Sequence, residues 1–139
     1  MEPVNPAASA ATILVVEDHP LNLRLVRDIL EYRGHRVESA GTVDEALAAL
    51  AAGRPNLVLL DIQIPGGGGE LVLATLREDP RLVGLPVIAV TAQAMSGDRE
   101  RFLRQGFDGY ISKPIDTRSF ASTVESYLSR SDSHGPPVR

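Results

Sequence analysis

The 139-residue chain is 43% hydrophobic and has no long apolar run, which is typical of one globular domain large enough to bury a core. It contains no cysteine, which excludes disulfides and thiolate metal ligands and fits a reducing cytoplasm. A net charge of −4 argues against DNA as a partner, and the N-terminal segment matches neither a secretory signal nor a membrane anchor, so we expect no membrane insertion.

Short apolar runs alternate with helical patterns along the chain. The run "TILVVE" (Thr12 to Glu17) is rich in β-branched residues and predicts a strand buried on both faces. A helix is expected to begin near Pro20 and to end at Gly34. Its apolar stripe consists of Leu21, Leu25, Val26, Ile29 and Leu30.

The alternation continues to the end of the chain. "RVESA" predicts a second strand, and Thr42 with Glu45 indicates a capping box that starts the helix "VDEALAALAA". Strands are then expected at "NLVLLD", "PVIAVT" and "GYIS", and helices over 71–76 and from near Ser96 to Gln105. A last helix is expected to bury Phe120, Val124, Tyr127 and Leu128.

Five strands that alternate with five helices indicate an α/β fold with a doubly wound parallel sheet. We expect the domain to cover residues 12–129, between flexible tails at 1–11 and 130–139. In such a sheet, ligands bind outside the carboxyl ends of the strands, near the point where the strand order reverses.

Polar residues stand at the carboxyl ends of the predicted strands. Each one alone is more often a turn former, a helix cap or a solvated side chain. Together they place three acids, a hydroxyl and the only lysine of the chain at one edge of the sheet. The residues are Glu17, Asp18, Asp61, Thr91 and Lys113.

Three clustered carboxylates predict a cation site at this edge. At about 5 Å and an effective dielectric constant of about 20, each ionised pair repels by roughly 3 kcal/mol. Carboxylate and carbonyl oxygens favour Mg²⁺, whereas His19, His35 and His134 lack the spacing of a zinc site. Asp61, held by the most uniformly apolar strand, is the best candidate for a nucleophile toward phosphorus.

These residues resemble a known family. "VVEDH", "LLDIQIP", "VTAQA" and "YISKP" occur in this order, and together they are similar to the receiver domain of two-component response regulators. "VVEDHPLN" and "AMSGDRERF" are similar to stand-alone, single-domain receivers of the DivK type. The resemblance implies a flavodoxin-like sheet of strand order 2-1-3-4-5 with five helices, in a cytoplasmic phosphoprotein of phosphorelay signal transduction.

The resemblance also implies a role for each matching residue. Asp61 would accept a phosphoryl group from a phosphohistidine on a histidine kinase or a histidine phosphotransfer protein. Mg²⁺ would be held by Asp18, Asp61, the backbone carbonyl of Gln63 and, through water, Glu17. The protein would then be a phosphoacceptor signalling switch, or a relay or phosphate sink, rather than an enzyme, with self-catalysed phosphotransfer and dephosphorylation.

Four further residues would complete the switch. Thr91, Ala92 and Lys113 would bind the phosphoryl group, and a lysine suits this task because its ammonium is a compact charge that follows the incoming group. Pro114 would follow a cis peptide bond, and Tyr110 would turn inward as Thr91 moves. The surface of the fourth helix, fifth strand and fifth helix would then change.

The loop "IPGGGGE" departs from the family pattern, which has a mixed sequence that ends in one glycine. Four glycines predict a mobile loop, and we interpret them as tolerated variation in a surface turn. Gln63 and Gln93 are hypothesised to flank the entrance to the site and to set the rate at which water attacks the acyl phosphate.

Two other functions remain open. An aspartate-nucleophile phosphatase of the haloacid dehalogenase class shares the fold type, but it needs a second Asp where this chain has Gln63. An inert docking module is disfavoured by the intact polar set. We expect no effector domain after residue 129 and therefore expect output through a downstream protein target. The face near Asn22, Arg24 and Arg27 is the candidate for binding the phosphodonor, and the face from Arg99 to Arg104 is the candidate for output.

Overall fold

The computed structural model describes residues 10–92 and 97–134. The strands are β1 (Thr12–Val16), β2 (Arg36–Ala40), β3 (Leu57–Asp61), β4 (Val87–Thr91) and β5 (Gly109–Ser112). The helices are α1 (Pro20–Tyr32), α2 (Val43–Ala52), α3 (Gly69–Arg77), α4 (Asp98–Gln105) and α5 (Phe120–His134). All strand pairs are parallel and the order is β2-β1-β3-β4-β5, which confirms the predicted doubly wound sheet.

Two apolar layers cover the sheet, because successive side chains of a strand point to opposite faces. Leu14, Val16, Val58 and Leu60 pack with α2, α3 and α4 on one face. On the other face, the neighbouring strand residues pack with α1 and α5. The predicted apolar stripe of α1 is wrong at Leu21, which is 74% exposed, while Val26 and Leu30 are buried. All residues of β3 and β4 are buried, so the central strands hold their carboxyl ends rigidly in place.

The start of α2 fixes the β2–α2 turn beside the carboxyl end of β1. Thr42 Oγ1 accepts a hydrogen bond from the Glu45 N–H at 3.1 Å, as the capping pattern predicts. The return bond differs from a capping box, since Glu45 Oε1 accepts from the N–H of Gly41 at 2.7 Å rather than from that of Thr42.

The structure departs from the predicted elements at the end of α5 and after α3. Helix α5 continues to His134, beyond the predicted domain end at residue 129, because no glycine or proline interrupts the chain before Gly135. A 3-10 turn at Pro80–Leu82 was not predicted, and its Asp79 cap accepts from the Arg81 N–H at 2.9 Å. The predicted start of α4 near Ser96 lies outside the described residues, as do positions 1–9 and 135–139.

Arg77, at the end of α3, joins three segments on the amino-end side of the sheet. Its guanidinium donates to the carbonyl of Leu85 at 2.9 Å and to that of Gly106 at 3.1 Å. It also pairs with Asp108 at 3.0 Å, whose carboxylate accepts the Val87 N–H at 2.8 Å. One side chain thus fixes the ends of α3 and α4 relative to β4.

Glu125 joins α5 to the α1–β2 connection. It accepts from Arg33 Nε at 3.1 Å and from Nε2 of the buried His35 at 2.8 Å. His35 Nδ1 accepts the Ala11 N–H at 3.1 Å, so Nε2 is the nitrogen that donates to Glu125. Burial favours the neutral carboxyl, but the hydrogen bonds from Arg33 and His35 and the charge of Arg33 outweigh it and hold the pKa of Glu125 below its ordinary value.

Candidate functional site

The strand register places the predicted polar residues at one edge of the sheet. Asp61 ends β3 and lies beside Val90 of β4, and Thr91 lies beside Ser112 of β5. Glu17 directly follows β1, whose last residue is the neighbour of Leu60. The carboxyl ends of β1, β3, β4 and β5 therefore form the floor of the site.

Three carboxylates meet there. Oxygen atoms of Glu17, Asp18 and Asp61 lie within 4.8 Å of one another. Glu17 and Asp61 are each only 6% exposed, whereas Asp18 is exposed to solvent. Each ionised pair at this distance repels by about 3 kcal/mol at an effective dielectric constant of about 20, so the group attracts a cation.

Lys113 supplies one positive charge to this group. Its Nζ lies 3.0 Å from Asp61 Oδ2 and 3.1 Å from Glu17 Oε1, while Asp18 is not among its ion-pair partners in the described residues. Burial lowers the pKa of Lys113, but the hydrogen bonds and charges of the two carboxylates outweigh burial and raise it. The lysine therefore stays charged at neutral pH and faces both buried carboxylates.

The backbone around Lys113 fixes where its side chain begins. The Lys113 N–H donates to the carbonyl of Thr91 at 2.8 Å, which ties the residue to the end of β4. The peptide bond between Lys113 and Pro114 is cis, the conformation that the family resemblance implies.

Backbone amides orient the two buried carboxylates. The Gln63 N–H donates to Asp61 Oδ1 at 2.9 Å, so the two oxygens of Asp61 have different partners, an amide and an ammonium. The His19 N–H donates to Glu17 Oε2 at 3.0 Å. Both carboxylates keep unused lone pairs after these bonds, because each oxygen has two.

The remaining predicted residues surround this centre. Thr91 is 7% exposed at the end of β4, and the next residue, Ala92, is exposed. Tyr110 is half-buried on β5, with its ring centroid 5.6 Å from that of Phe102 on α4. The side chain of Gln63 is exposed, and Gln93 lies outside the described residues.

The interpretation of the glycine loop as tolerated variation is wrong for its last member. Gly69 is buried and begins α3, and a Cβ there would lie 2.8 Å from the carbonyl oxygen of Asp61. Gly66, Gly67 and Gly68 have φ angles of 103°, 130° and 83°, a region that other residues rarely adopt. The sequence showed four glycines but neither the close approach nor the backbone angles.

Comparisons with known proteins show the family of this chain. The family model for the response regulator receiver domain matches residues 13–125. The chain therefore belongs to the response regulator receiver domain family of two-component systems. No helix among the described residues combines the length and apolar character needed to cross a bilayer.

Individual relatives and solved structures show which members of the family this chain is most clearly similar to in length. The polar-differentiation response regulator DivK of Brucella anthropi is 44% identical over 117 residues, which cover 84% of this chain and 95% of the relative. A CheY-like receiver domain protein from Methanospirillum hungatei is 31% identical with a TM-score of 0.81, and the match covers 91% of this chain and all of that one. The chain is thus similar to single-domain members of the family.

A third similar protein was solved with a metal ion bound. The receiver domain of the sensor histidine kinase PA1611 from Pseudomonas aeruginosa is 28% identical with a TM-score of 0.78, over 86% of this chain and 98% of that chain. That structure has a magnesium ion coordinated in its active site cleft. The TM-score shows that the two chains share the same fold.

Proposed function

We propose that this chain is a single-domain response regulator that accepts a phosphoryl group on Asp61, in a Mg²⁺-dependent reaction, and thereby switches a protein-binding surface. The donor is a phosphohistidine of a histidine kinase or a histidine phosphotransfer protein. The observation that carries the proposal is a buried Asp61 that lies beside two other carboxylates and is hydrogen-bonded to the only lysine of the chain. A purely structural ion pair needs neither the extra acids nor their position at the carboxyl edge.

Asp61 is suited to be the nucleophile. One of its carboxylate oxygens forms a bond to phosphorus as the P–N bond of the phosphohistidine breaks, and the electron pair returns to the imidazole of the donor. The Gln63 N–H and Lys113 Nζ hold the two oxygens of Asp61 in a fixed orientation before attack. Lys113 then neutralises part of the charge on the transferred group.

The donor set fits Mg²⁺. Asp18 and Asp61 would hold the ion directly, with Glu17 through water and the Gln63 carbonyl as a further oxygen ligand. When bound, the ion neutralises charge on the phosphoryl oxygens. Asp18 is exposed and is not paired with Lys113, so its carboxylate is the most accessible of the three.

Thr91, Ala92 and Tyr110 are proposed to convert phosphorylation into a surface change. The hydroxyl of Thr91 would donate to a phosphoryl oxygen, and the exposed Ala92 would contribute its backbone. Tyr110 would follow inward, and its ring now packs on Phe102 of α4. A new charge at Asp61 would thus be transmitted to α4 and β5.

The partners are proposed to bind at two faces. On α1, Leu21 is 74% exposed near the site, and Arg24 and Arg27 form ion pairs only with acids of the same helix among the described residues. On α4, Leu103 is 41% exposed among charged residues. The α1 face lies beside the phosphoacceptor and is proposed to bind the phosphodonor. The α4 face is proposed to bind a downstream protein target. Both partners are compatible with a cytoplasmic location.

The phosphatase alternative is less favoured by the geometry. Gln63 occupies the position of the acid and base that such an enzyme needs, and it approaches Asp61 with its backbone N–H. A glutamine side chain cannot exchange a proton with the leaving group or with water.

The test is the intact mass after incubation with Mg²⁺ and phosphoramidate. The wild type and the control Asp28→Asn, an exposed acid on α1 that pairs with Arg24, are expected to gain one phosphoryl group. Asp61→Asn, or removal of Mg²⁺ by a chelator, is expected to abolish the gain. A folded wild-type protein that gains no mass with phosphoramidate or with a phosphorylated histidine phosphotransfer protein would contradict the proposal.

A further inference from the structure

The four-glycine loop between β3 and α3 is held by backbone bonds at both of its ends. The Gly69 N–H donates to the carbonyl of Ile62 at 2.8 Å, and the Val43 N–H of α2 donates to the carbonyl of Pro65 at 3.0 Å. Between these anchors, Gly66 to Gly68 adopt positive φ angles. The loop therefore follows one defined path that crosses the end of the strand carrying the phosphoacceptor.

Gly69 lies against the backbone of that strand. A Cβ there would be 2.8 Å from the Asp61 carbonyl oxygen and 3.0 Å from the Ile62 Cα, and two of its three nearest atoms belong to the backbone. Ordinary contacts begin at 3.4 Å, so the strand end and α3 would have to separate by about 0.6 Å. Because Gly69 does not have a positive φ, only this close approach excludes a side chain.

The close packing of Gly69 against β3 affects the position of Asp61 through Ile62 and Gln63. Ile62, whose Cα touches the site of the missing Cβ, is followed by Gln63. The Gln63 N–H in turn donates to Asp61 Oδ1. A shift of the Ile62 backbone therefore moves the amide that orients the carboxylate.

We propose that Gly69 is a positioning residue for phosphoryl transfer: its missing side chain lets α3 press the Ile62–Gln63 backbone against the end of β3, which fixes the orientation of the Asp61 carboxylate. The part of this inference that concerns rate rests on the proposed function. The part that concerns geometry does not, because the bond between Gln63 and Asp61 exists without a phosphodonor.

The test compares Gly69→Ala with Gly84→Ala. Gly84 has a φ of 81° and open space around its missing Cβ, so alanine there strains the backbone at a turn far from the site and destabilises the chain without a collision. Two quantities are measured for each folded variant: the rate of phosphorylation by phosphoramidate with Mg²⁺, and the amide NMR resonance and hydrogen exchange of Gln63 without Mg²⁺.

Gly69→Ala is expected to phosphorylate about tenfold or more slowly than the wild type, since misplacement of a reacting group by a fraction of an ångström is costly. Its Gln63 amide is expected to shift and to exchange faster. Gly84→Ala is expected to stay within about twofold of the wild-type rate with the Gln63 amide unchanged, even where its thermal midpoint falls further.

Equal rates and an unchanged Gln63 amide in Gly69→Ala would overturn the proposal, as would an equal loss of rate in Gly84→Ala. If Gly69→Ala does not fold, Gly68→Ala replaces it, because its Cβ would lie 3.4 Å from the Ile62 carbonyl oxygen, which accepts the Gly69 N–H. The same shift of Gln63 is expected there, and an unchanged Gln63 amide overturns the inference. A wild type that accepts no phosphoryl group would refute the proposed function, while the NMR comparison still decides the role of Gly69.

Discussion

Removal of the charge of Lys113 tests the electrostatics of the site most sharply. Lys113→Met keeps most of the side-chain stem but leaves Glu17 and Asp61 facing each other, with side chains only 5% and 8% exposed. Each attraction to the ammonium amounts to about 5 kcal/mol at an effective dielectric constant of about 20, before desolvation is subtracted. Removal of one partner from a buried ion pair typically costs about 3 to 5 kcal/mol.

Because the Lys113 side chain is 19% exposed, we expect a loss of about 2 to 3 kcal/mol at pH 7.5 without Mg²⁺. For a chain of this length, that loss lowers the thermal midpoint by about 7 to 12 °C. The raised pKa of Lys113 means that its stabilisation is fully present below the ordinary lysine value and is lost only as pH rises through the folded value. Neutral pH is therefore the right condition for the comparison.

The assay is urea and thermal unfolding of Lys113→Met, with the exposed Arg118→Met as the matched control that removes a charge elsewhere. Addition of millimolar Mg²⁺ is expected to recover part of the stability of Lys113→Met, because the ion replaces the missing positive charge. A variant as stable as the wild type at pH 7.5 without Mg²⁺ would refute this account of the carboxylate group.

Three further outcomes test other parts of the fold. Glu125→Gln is expected to lower stability at pH 6 to 8, because the partners of Glu125 stabilise its ionised form and hold its pKa below the ordinary value of 4.5. The difference from wild type should shrink below pH 4.5 and vanish as pH falls through the lower pKa of the folded state, and a difference that persists at still lower pH would contradict this. Arg77→Ala is expected to lower the free energy of unfolding in urea by about 2 kcal/mol, since three partners lose a charged donor. A loss within error of zero would show that the hydrogen bonds of Arg77 contribute nothing to stability. Gly53→Ala is expected to raise stability by about 0.5 kcal/mol, because the residue is extended and nothing lies within 4 Å of a Cβ, and a clear loss would show that the space is not open.

The order of elements followed from the sequence because each strand is short and apolar and each helix has one apolar face. "RVESA", "VDEALAALAA" and "GYIS" were predicted with the bounds that the structure has. The 3-10 turn after α3 was missed, since it is stabilised by the cap of one side chain, Asp79, rather than by a periodic pattern. The end of α5 was missed because the apolar periodicity of the sequence stops before the helix ends.

The convergence of the site residues also followed from sequence, because carboxyl ends of parallel strands share an edge. Which of these residues bond to one another did not follow from the sequence. Nothing in the residue types showed that Lys113 pairs with Glu17 and Asp61 rather than with Asp18, or that Gln63 binds Asp61 through its backbone. Those choices depend on where the folded backbone places each side chain.

Long-range polar contacts outside the site gave no sequence signal. His35 and Glu125 are separated by 90 positions, and each alone is compatible with a solvated surface. Their bond arises because α5 packs beside α1 on one face of the sheet, which brings the α1–β2 connection under α5.

The most direct test of the central claim is the location of the phosphoryl group. After phosphorylation with Mg²⁺ and phosphoramidate, borohydride converts an aspartyl phosphate to homoserine, and peptide mass spectrometry then finds the modified position. The account predicts homoserine at position 61 in the wild type and at no position in Asp61→Asn. Homoserine at Asp18 in place of Asp61, or a phosphoryl group held on a histidine or a hydroxyl residue, would contradict it.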